Sequence, residues 1–280
     1  MSVTGLFVGL ATLDVVQLVD RMPNSNEKTT ARTTWLAAGG PAAVAAITFA
    51  ALGGRARLWT ALGTSPAAML AAADLAGSGV EVLDVADADF ELAVSTVFVE
   101  AATGQRVVVS GSGHAPTFGK IAGPDLSGVD VVLVDGHHAA LARSAALAAS
   151  GIPVVVDAGS HKAVFDDVLG FATDVICSAD YLHPAGFSPR DFLGLGARLV
   201  AVSHGGEALE WWTAQGAGTV VPQLVAAVDT AGAGDVLHGA YCHGVASGLD
   251  RLPALQRAAD VASERVRHLG PFAWRAAIAG

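Results

Sequence analysis

The sequence predicts an α/β fold, a three-layer sandwich in which a mainly parallel sheet carries helices on both faces. Short apolar runs rich in valine have the composition of strands buried on both faces, at 3–10, 56–62, 129–135, 152–157, 173–177 and 198–203. Alanine-rich stretches of helical length lie between them, at 66–77, 139–150 and 161–170. This alternation favours right-handed βαβ units, and it places ligands beyond the carboxyl ends of the strands.

Two segments break the alternation and predict a small second sheet. Residues 13–36 and 92–110 have the pattern of short antiparallel strands, and Thr103 and Gly104 fit a hairpin turn. Such a sheet would project over the edge where ligands bind and would act as a lid. We find no internal repeat and no interdomain linker, so residues 1–280 are expected to form one domain.

The composition favours a folded cytoplasmic protein that does not bind nucleic acid. Hydrophobic residues make up 52% of the chain and charged residues 15%, which provides apolar surface for a large core. A formal net charge of −10 disfavours binding to nucleic acid phosphates. The two cysteines, Cys177 and Cys242, fit a reducing compartment, and the first residues lack the pattern of an export signal.

The run from Trp35 to Gly54 is nearly uncharged and long enough to span a bilayer. It consists mostly of alanine and glycine, contains Pro41, and lies between two predicted strands. We therefore predict a buried helix in this run and no contact with a membrane.

The segment most informative about function lies near the C-terminus. A strand-like run ends at Val228, and the small residues that follow lead through Asp235 into an apolar helix. The unpaired N–H groups at such a helix start form an anion hole, and small residues let the backbone approach a ligand. A carboxylate there can accept the proton of an attacking hydroxyl. A tight turn with a capping aspartate is the alternative reading.

The string DTAGAGDVLHGA in this segment resembles the C-terminal signature of the ribokinase-like PfkB family. The resemblance implies that Asp229 shapes the loop, that Gly232, Ala233 and Gly234 form the anion hole, and that Asp235 is the catalytic base. It also implies ATP-dependent phosphorylation of a sugar or sugar derivative, with Mg²⁺ held mainly by the nucleotide phosphates.

Two N-terminal motifs extend the resemblance. VGLATLDVV is similar to the family's G-x-x-x-x-D, which implies that Asp14 binds substrate hydroxyls, although an aspartate is also common at the end of a strand. AAGGPAAVAAITFAALGG resembles the first family signature, in which Gly39 and Gly40 would bind substrate through their backbone. Val44 stands where most members carry asparagine, so ribose or fructose specificity does not transfer. The Gly-Gly-Pro-Ala-Ala start of this segment, without the asparagine, is similar to the same segment in the sulfofructose kinase branch of the family.

The remaining motifs concern nucleotide and metal. VAVSHGGEA is similar to the family's nucleotide segment, which implies that Ser203 and Gly205 contact the nucleotide. The resemblance implies a nucleotide contact for Thr230 as well. A simple turn after a strand is the alternative reading of VAVSHGGEA. ICSADYLHPAGF replaces the family's metal-associated N-x-x-E, so no metal ligand is assigned, and Asp180 is only a weak substitute.

Several function classes are set aside or kept open. The sequence lacks the G-x-G-x-x-G pattern of dinucleotide-binding dehydrogenases after its first strand, and it lacks the G-x-x-x-x-G-K-[ST] loop of P-loop kinases. His137 and His138 fit substrate contact or helix capping equally well. A nucleoside kinase and a non-catalytic sugar-binding regulatory protein remain alternatives to a sugar kinase. Relatives in the family often pair through their lids, so the resemblance also implies a homodimer formed through the lid.

Overall fold

Thirteen strands are found in the part of the chain that the structure, a computed structural model, describes, which is residues 2–87, 89–111 and 121–279. The strands are β1 Thr4–Val8, β2 Thr12–Val19, β3 Thr33–Gly39, β4 Arg55–Thr60, β5 Val80–Asp84, β6 Val94–Glu100, β7 Arg106–Ser110, β8 Val131–Val134, β9 Val154–Ala158, β10 Asp174–Ser178, β11 Leu199–Ser203, β12 Leu209–Thr213 and β13 Gly216–Val220. The helices are α1 Pro41–Ala51, α2 Pro66–Gly77, α3 Ala139–Ala148, α4 Phe165–Val168, α5 Ala233–Ala246, α6 Arg251–Arg265 and α7 Ala273–Ala277, with 3₁₀ turns at Leu169–Phe171 and Pro189–Leu195.

The large sheet is mainly parallel, as the sequence predicts. Its strand order is β13-β12-β11-β10-β9-β8-β1-β4-β5, and every pair from β11 to β5 is parallel. The hairpin of β12 and β13 adds an antiparallel edge. Valine-rich strands such as β8, in which all four residues are buried, leave no face for solvent, so helices must cover both sides.

The two faces of the large sheet carry separate hydrophobic clusters. One contains buried residues of α1, α2, α5 and α6, and the other contains those of α3 and α4. Small residues bring α1 and α5 unusually close, because a Cβ at Gly239 would lie 2.3 Å from the carbonyl oxygen of Ala45. This packing fixes the start of α5 relative to the start of α1.

The uncharged run from Trp35 to Gly54 forms the end of β3 and the buried helix α1, as predicted. Within the described residues, no helix has the length and apolar character needed to cross a membrane.

A four-stranded second sheet, called the small sheet below, is built from the two segments that interrupt the alternation. Its order is β3-β2-β6-β7; both hairpins are antiparallel, and they join through the parallel pair of β2 and β6. Thr103 and Gly104 lie in the turn between β6 and β7, where Gly104 has φ of 67°. The small sheet stands beside the carboxyl ends of the central strands.

Two expectations about secondary structure differ from the structure. The helix predicted at 161–170 is reduced to the single turn of α4 and the 3₁₀ turn at Leu169–Phe171. The strand predicted to end at Val228 ends at Val220, and residues 221–228 form neither strand nor helix. Pro222 has no N–H to donate to a sheet, so the valine-rich run that follows it does not extend the hairpin. Instead, the amide of Val228 donates to the carbonyl oxygen of Val266, at 2.8 Å, just after α6.

Candidate active site

Two cavities meet at the first turn of α5. The first, of about 350 Å³, lies between the small sheet and the starts of α1 and α5, and the second, of about 420 Å³, lies between the loop after β11 and helix α6. Asp235 lines the first cavity, whereas Ala233 and Gly234 line the second. The helix start therefore separates two spaces that each accommodate a small ligand.

The backbone before α5 is shaped to expose the amides of its first turn. Gly232 occupies the N-cap position with φ of 72°, a left-handed conformation that favours glycine. A Cβ at Gly234 would meet no atom within 4 Å, so the second cavity reaches the backbone there. The first amides of a helix lack intrahelical acceptors and carry the positive end of its dipole. This turn can therefore bind an anion.

Asp229 holds the loop that leads into this turn. Its Oδ1 accepts a hydrogen bond from the amide of Ala231 at 2.9 Å. Its Oδ2 accepts one from the amide of Gly270 at 3.0 Å and one from Nη2 of Arg265 at 3.1 Å. Because Asp229 and Arg265 are only 1% and 3% exposed, this ion pair is almost free of solvent screening.

Asp235 is placed where its carboxyl group holds its proton more tightly than an exposed aspartate does. Burial raises the pKa of Asp235 to about 7, and the negative charges of Asp157 and Asp135 act in the same direction. The positive charges of His238 and Arg106 oppose this shift. A carboxyl group with this pKa can exchange a proton near neutral pH.

His238 anchors the first turn of α5 to the large sheet. Its Nδ1 lies 2.7 Å from the carbonyl oxygen of Gly234 and 3.5 Å from Oδ2 of Asp157. Its Nε2 lies 3.2 Å from the carbonyl oxygen of Ile176. These contacts tie the first turn of α5 to the carboxyl ends of β9 and β10, so the anion-binding amides have a fixed position relative to the large sheet.

Asp14 projects from β2 into the first cavity. Thr12 donates a hydrogen bond from Oγ1 to Oδ1 of Asp14 at 2.6 Å. Burial raises the pKa of Asp14, and hydrogen bonds from Thr12 and Ser95 partly offset that shift. A Cβ at Gly39 would lie 2.1 Å from Oδ2 of Asp14. Glycine at position 39 is thus what admits the carboxylate to this place.

A second buried aspartate, Asp135, joins the ends of β1 and β8 to α1. Its Oδ2 accepts hydrogen bonds from the amides of Leu10 and Ala42, at 2.8 and 3.2 Å. Burial alone would raise the pKa of Asp135, but hydrogen bonds and charge from His137 and the amide of Leu10 outweigh it and lower the pKa. A Cβ at Gly9 would lie 1.9 Å from Oδ1 of Asp135, so only glycine fits there.

Gly40 directs the chain from β3 into α1. It is the N-cap residue of α1, with φ of 94°, and a Cβ there would lie 2.5 Å from the carbonyl oxygen of Leu10. Val44 lies one turn further along α1 and lines the first cavity. The wall at this position is therefore apolar.

The structure gathers the site residues expected from the sequence around these two cavities. Asp14, Gly40, Gly232 and Asp235 line the first cavity, and Ser203, Gly205, Thr230, Ala233 and Gly234 line the second. Gly39 packs directly against Asp14. The weak metal candidate, Asp180, is exposed after β10 and lies outside the described lining of both cavities.

The two neighbouring histidines after β8 have different surroundings. His137 lines the first cavity, and its Nδ1 lies 3.3 Å from Oδ1 of Asp135. His138 is buried at the N-cap position of α3, and its side chain makes no capping hydrogen bond there. Of the two, His137 is therefore the candidate for contact with a ligand.

One group of possible metal ligands occurs among the described residues. Ligand atoms of His161, Asp166 and His183 lie within 4.8 Å of one another. However, Nδ1 of His183 accepts a hydrogen bond from the amide of Ala185 at 3.2 Å, which leaves the ring proton on Nε2, 3.3 Å from Asp166. Hydrogen bonding thus accounts for the contact between His183 and Asp166, and the group lies outside the described lining of both cavities.

Residues that the motifs do not reveal complete the site. Arg106 of β7 lines both cavities. Asp135 holds the loop after β1 through the amide of Leu10, and Arg265 holds the loop before α5 through Asp229. For Asp135, a signal existed: it is the last residue of the predicted strand at 129–135, at the carboxyl end where ligands bind. Arg106 and Arg265 have no such local signal, because tertiary packing brings them to the site.

Comparison with known proteins identifies the family of this chain. The model of the pfkB family carbohydrate kinases matches residues 6–180 and 190–273. The chain belongs to the PfkB family of carbohydrate kinases. Its fold is the ribokinase-like fold, and as a PfkB kinase it is a transferase that phosphorylates a sugar or a nucleoside.

Solved structures share this fold over nearly the whole chain. A protein proposed to be a ribokinase, from Agrobacterium tumefaciens, has a TM-score of 0.85 at 27% identity, over 96% of this chain and 93% of that chain. Arabidopsis thaliana ribokinase, complexed with ribose and ATP, has a TM-score of 0.76 at 20% identity, over 99% and 98%. A Burkholderia thailandensis nucleoside kinase, in complex with inosine, has a TM-score of 0.75 at 19% identity, over 98% and 96%. A search of curated protein sequences found no match.

Proposed function

We propose that this PfkB kinase transfers the γ-phosphoryl group of ATP to a hydroxyl group of a small sugar or sugar derivative. The observation that carries the proposal is that both cavities open onto one helical turn, with Asp235 on one side and Gly234 on the other. A hydroxyl bound in the first cavity would face a phosphate bound in the second. Direct transfer between two bound substrates depends on this kind of alignment.

Asp235 is the proposed catalytic base. The acceptor oxygen bonds to the γ-phosphorus, the bond from that phosphorus to the β–γ bridging oxygen breaks, and ADP leaves. The hydroxyl proton passes to the Asp235 carboxylate. A pKa of about 7 suits this task, because a substantial fraction of the group, about half, is ionised at neutral pH and the carboxylate is still basic enough to take the proton.

The backbone around α5 is the proposed phosphate site. Amides at Gly232, Ala233 and Gly234 would donate to phosphoryl oxygens, which supplies positive potential that the acidic chain otherwise lacks. Ser203, at the end of β11, and Gly205, just after it, line the second cavity and are proposed to contact the nucleotide, together with Thr230.

The acceptor is proposed to bind through Asp14 and the backbone of Gly39 and Gly40. A carboxylate is a strong acceptor for paired hydroxyl groups, and the Asp14 side chain faces the first cavity. Val16 and Val97 of the small sheet add an apolar wall to that cavity. A sugar with hydroxyl groups on one edge and a less polar opposite face fits this lining.

Magnesium is proposed to accompany ATP. No carboxylate is present among the described residues that line the second cavity, so the fitting donors for this hard cation are phosphate oxygens and water. The cation would neutralise phosphate charge next to Asp235, which otherwise repels it.

We further propose that the small sheet acts as a lid, that two copies pair through it, and that the protein is cytoplasmic. Val107, Val108 and Val109 of the edge strand β7 are 46%, 48% and 60% exposed, which supports pairing at this edge. Cys177 and Cys242 are free and buried, which suits a reducing compartment.

A release assay for ADP tests the proposal. Purified protein with ATP and Mg²⁺ would be offered hexoses, pentoses and their acidic derivatives in one series, and adenosine, guanosine and cytidine in another. We expect ADP release with a member of the sugar series that is lost in Asp235→Asn. Turnover with nucleosides alone would assign the nucleoside alternative.

The non-catalytic alternative has a different signature. A sugar-binding regulatory protein would show saturable thermal stabilisation by a sugar but no ADP release with any acceptor. Two sequence features favour this alternative, namely Val44 in the first cavity and the replacement of the metal-associated N-x-x-E motif.

A further inference from the structure

The small sheet carries an arginine that reaches the junction of the two cavities. Arg106 is the first residue of β7, and its Nη1 donates hydrogen bonds to the carbonyl oxygen and to Oγ1 of Thr230, at 3.0 and 2.9 Å. Arg106 lines both cavities. Its guanidinium group therefore lies where a bound acceptor and a bound nucleotide would meet.

A second contact seats the same hairpin on the same loop. Gly104, in the turn before β7, has φ of 67°, and a Cβ there would lie 2.8 Å from the carbonyl oxygen of Val228. The backbone of the turn thus lies against the backbone that leads into α5. Two independent contacts, one at Gly104 and one at Arg106, set the position of the hairpin over the proposed phosphate site.

The charge of Arg106 distinguishes it from the other arginines of the first cavity. Arg265 pairs with Asp229, and Arg275 pairs with Asp74, at 3.1 and 2.6 Å. Within the described part of the chain, Arg106 forms no ion pair with a carboxylate, and its hydrogen bonds go to neutral groups of Thr230. A guanidinium group has five N–H donors, so donors remain for an anionic ligand.

We propose that Arg106 clamps the phosphoryl group that is transferred, so that the small sheet completes the phosphate site. The inference rests on the proposed function and names a further residue of that same site. The transferred group spreads negative charge over three oxygens, and a guanidinium group can bind two of them at once. Amides of α5 would hold the phosphates from the core side, and Arg106 would hold them from the small sheet.

Calorimetric titrations with Mg²⁺ and either ADP or the non-hydrolysable ATP analogue AMP-PNP test this role without an acceptor. Arg106→Ala should weaken AMP-PNP binding by about tenfold or more, the effect of losing charged hydrogen bonds, and should change ADP binding by less than about twofold. Arg106→Lys keeps the positive charge but loses the planar pair of N–H donors, so its affinity for AMP-PNP should lie between those of the parent and Arg106→Ala.

Arg143→Ala is the matched control. Arg143 is an exposed arginine on α3 that pairs with Asp167, outside the described lining of both cavities, so its loss should leave both affinities unchanged. The exposed position of Arg106 predicts a melting temperature within a few degrees of the parent.

The outcomes separate this inference from the proposed function. Equal weakening of ADP and AMP-PNP, or no change in either, would overturn the clamp, because the arginine would then only support Thr230 or play no part. A parent protein that binds neither nucleotide would overturn the proposed ATP-dependent function as well as the clamp.

Discussion

The carboxylate of Asp14 occupies the space into which a side chain at Gly39 would project. A Cβ on Gly39 would lie 2.1 Å from Oδ2 of Asp14, far inside van der Waals contact. The two residues belong to the paired strands β2 and β3, whose ladder runs from Thr12 opposite Gly39 to Leu18 opposite Thr33. Because this ladder holds both backbones, the missing side chain at Gly39 decides where the carboxylate points.

Gly39→Ala should therefore displace Asp14 and weaken acceptor binding. We expect the KM for the acceptor to rise by about tenfold or more, as for the loss of a charged hydrogen bond, with ADP binding unchanged. Steady-state kinetics and ADP titration provide the two readouts. Gly77→Ala at the end of α2, where a Cβ meets no atom within 4 Å, is the control and should leave both unchanged. An unaltered KM in Gly39→Ala would remove Asp14 from acceptor binding.

Asp235→Asn should separate catalysis from folding. The amide keeps the size of the side chain but cannot take the acceptor's proton, so kcat should fall by about 10²-fold or more. Its melting temperature should rise, because a buried carboxylate close to Asp157 and Asp135 is replaced by a neutral group. Asp180→Asn, at an exposed site, should change neither quantity. Near-normal turnover in Asp235→Asn would exclude it as the base.

The pH dependence of kcat/KM should report Asp235. The base works in its ionised form, and burial raises its pKa to about 7, so the rate should increase with pH through neutrality and level off above it. Asp157→Asn removes a neighbouring negative charge and should move the midpoint of this rise to lower pH. A profile that is flat between about pH 5.5 and 9 would contradict a base with a raised pKa.

Much of the fold could be predicted because the signals are local. Helix α2 occupies the predicted range, since Ser65 caps it, Pro66 starts it and Gly77 ends it. The valine-rich strands of the large sheet lie within a few residues of their predicted bounds for the same reason. The strand expected to end at Val228 does not form because Pro222 cannot donate to a sheet, and the amides of Val228 and Asp229 donate to the carbonyl oxygen of Val266 instead.

The site was predictable only where one segment builds it. Gly232, Gly234 and Asp235 come from one turn, so their order in the sequence already reports their geometry. Arg106 reaches Thr230 across 124 positions of the chain, and Arg265 reaches Asp229 across 36. Contacts of this kind follow from the pairing of strands and the packing of helices, and the motifs carry no trace of them.

The buried pair of Arg265 and Asp229 allows a stability prediction that does not depend on the reaction. Arg265→Gln leaves Asp229 without its charge partner in a site that is 1% exposed, and such a loss costs about 3–5 kcal/mol. The melting temperature should fall by about 2–4 °C for each kcal/mol. Arg267→Gln, from an exposed pair with Glu264, should cost less than about 1 kcal/mol.

The double variant Arg265→Gln with Asp229→Asn tests the physical reason for that loss. If the uncompensated charge causes it, neutralising Asp229 should restore part of the stability lost in Arg265→Gln. The recovery should be partial, because the amides of Ala231 and Gly270 donate to different oxygens of Asp229 and the asparagine side chain keeps only one oxygen acceptor. Thermal melts of the parent, the two single variants and the double variant complete the cycle. Additive losses would show that the two side chains stabilise the loop independently, through packing rather than through their charges.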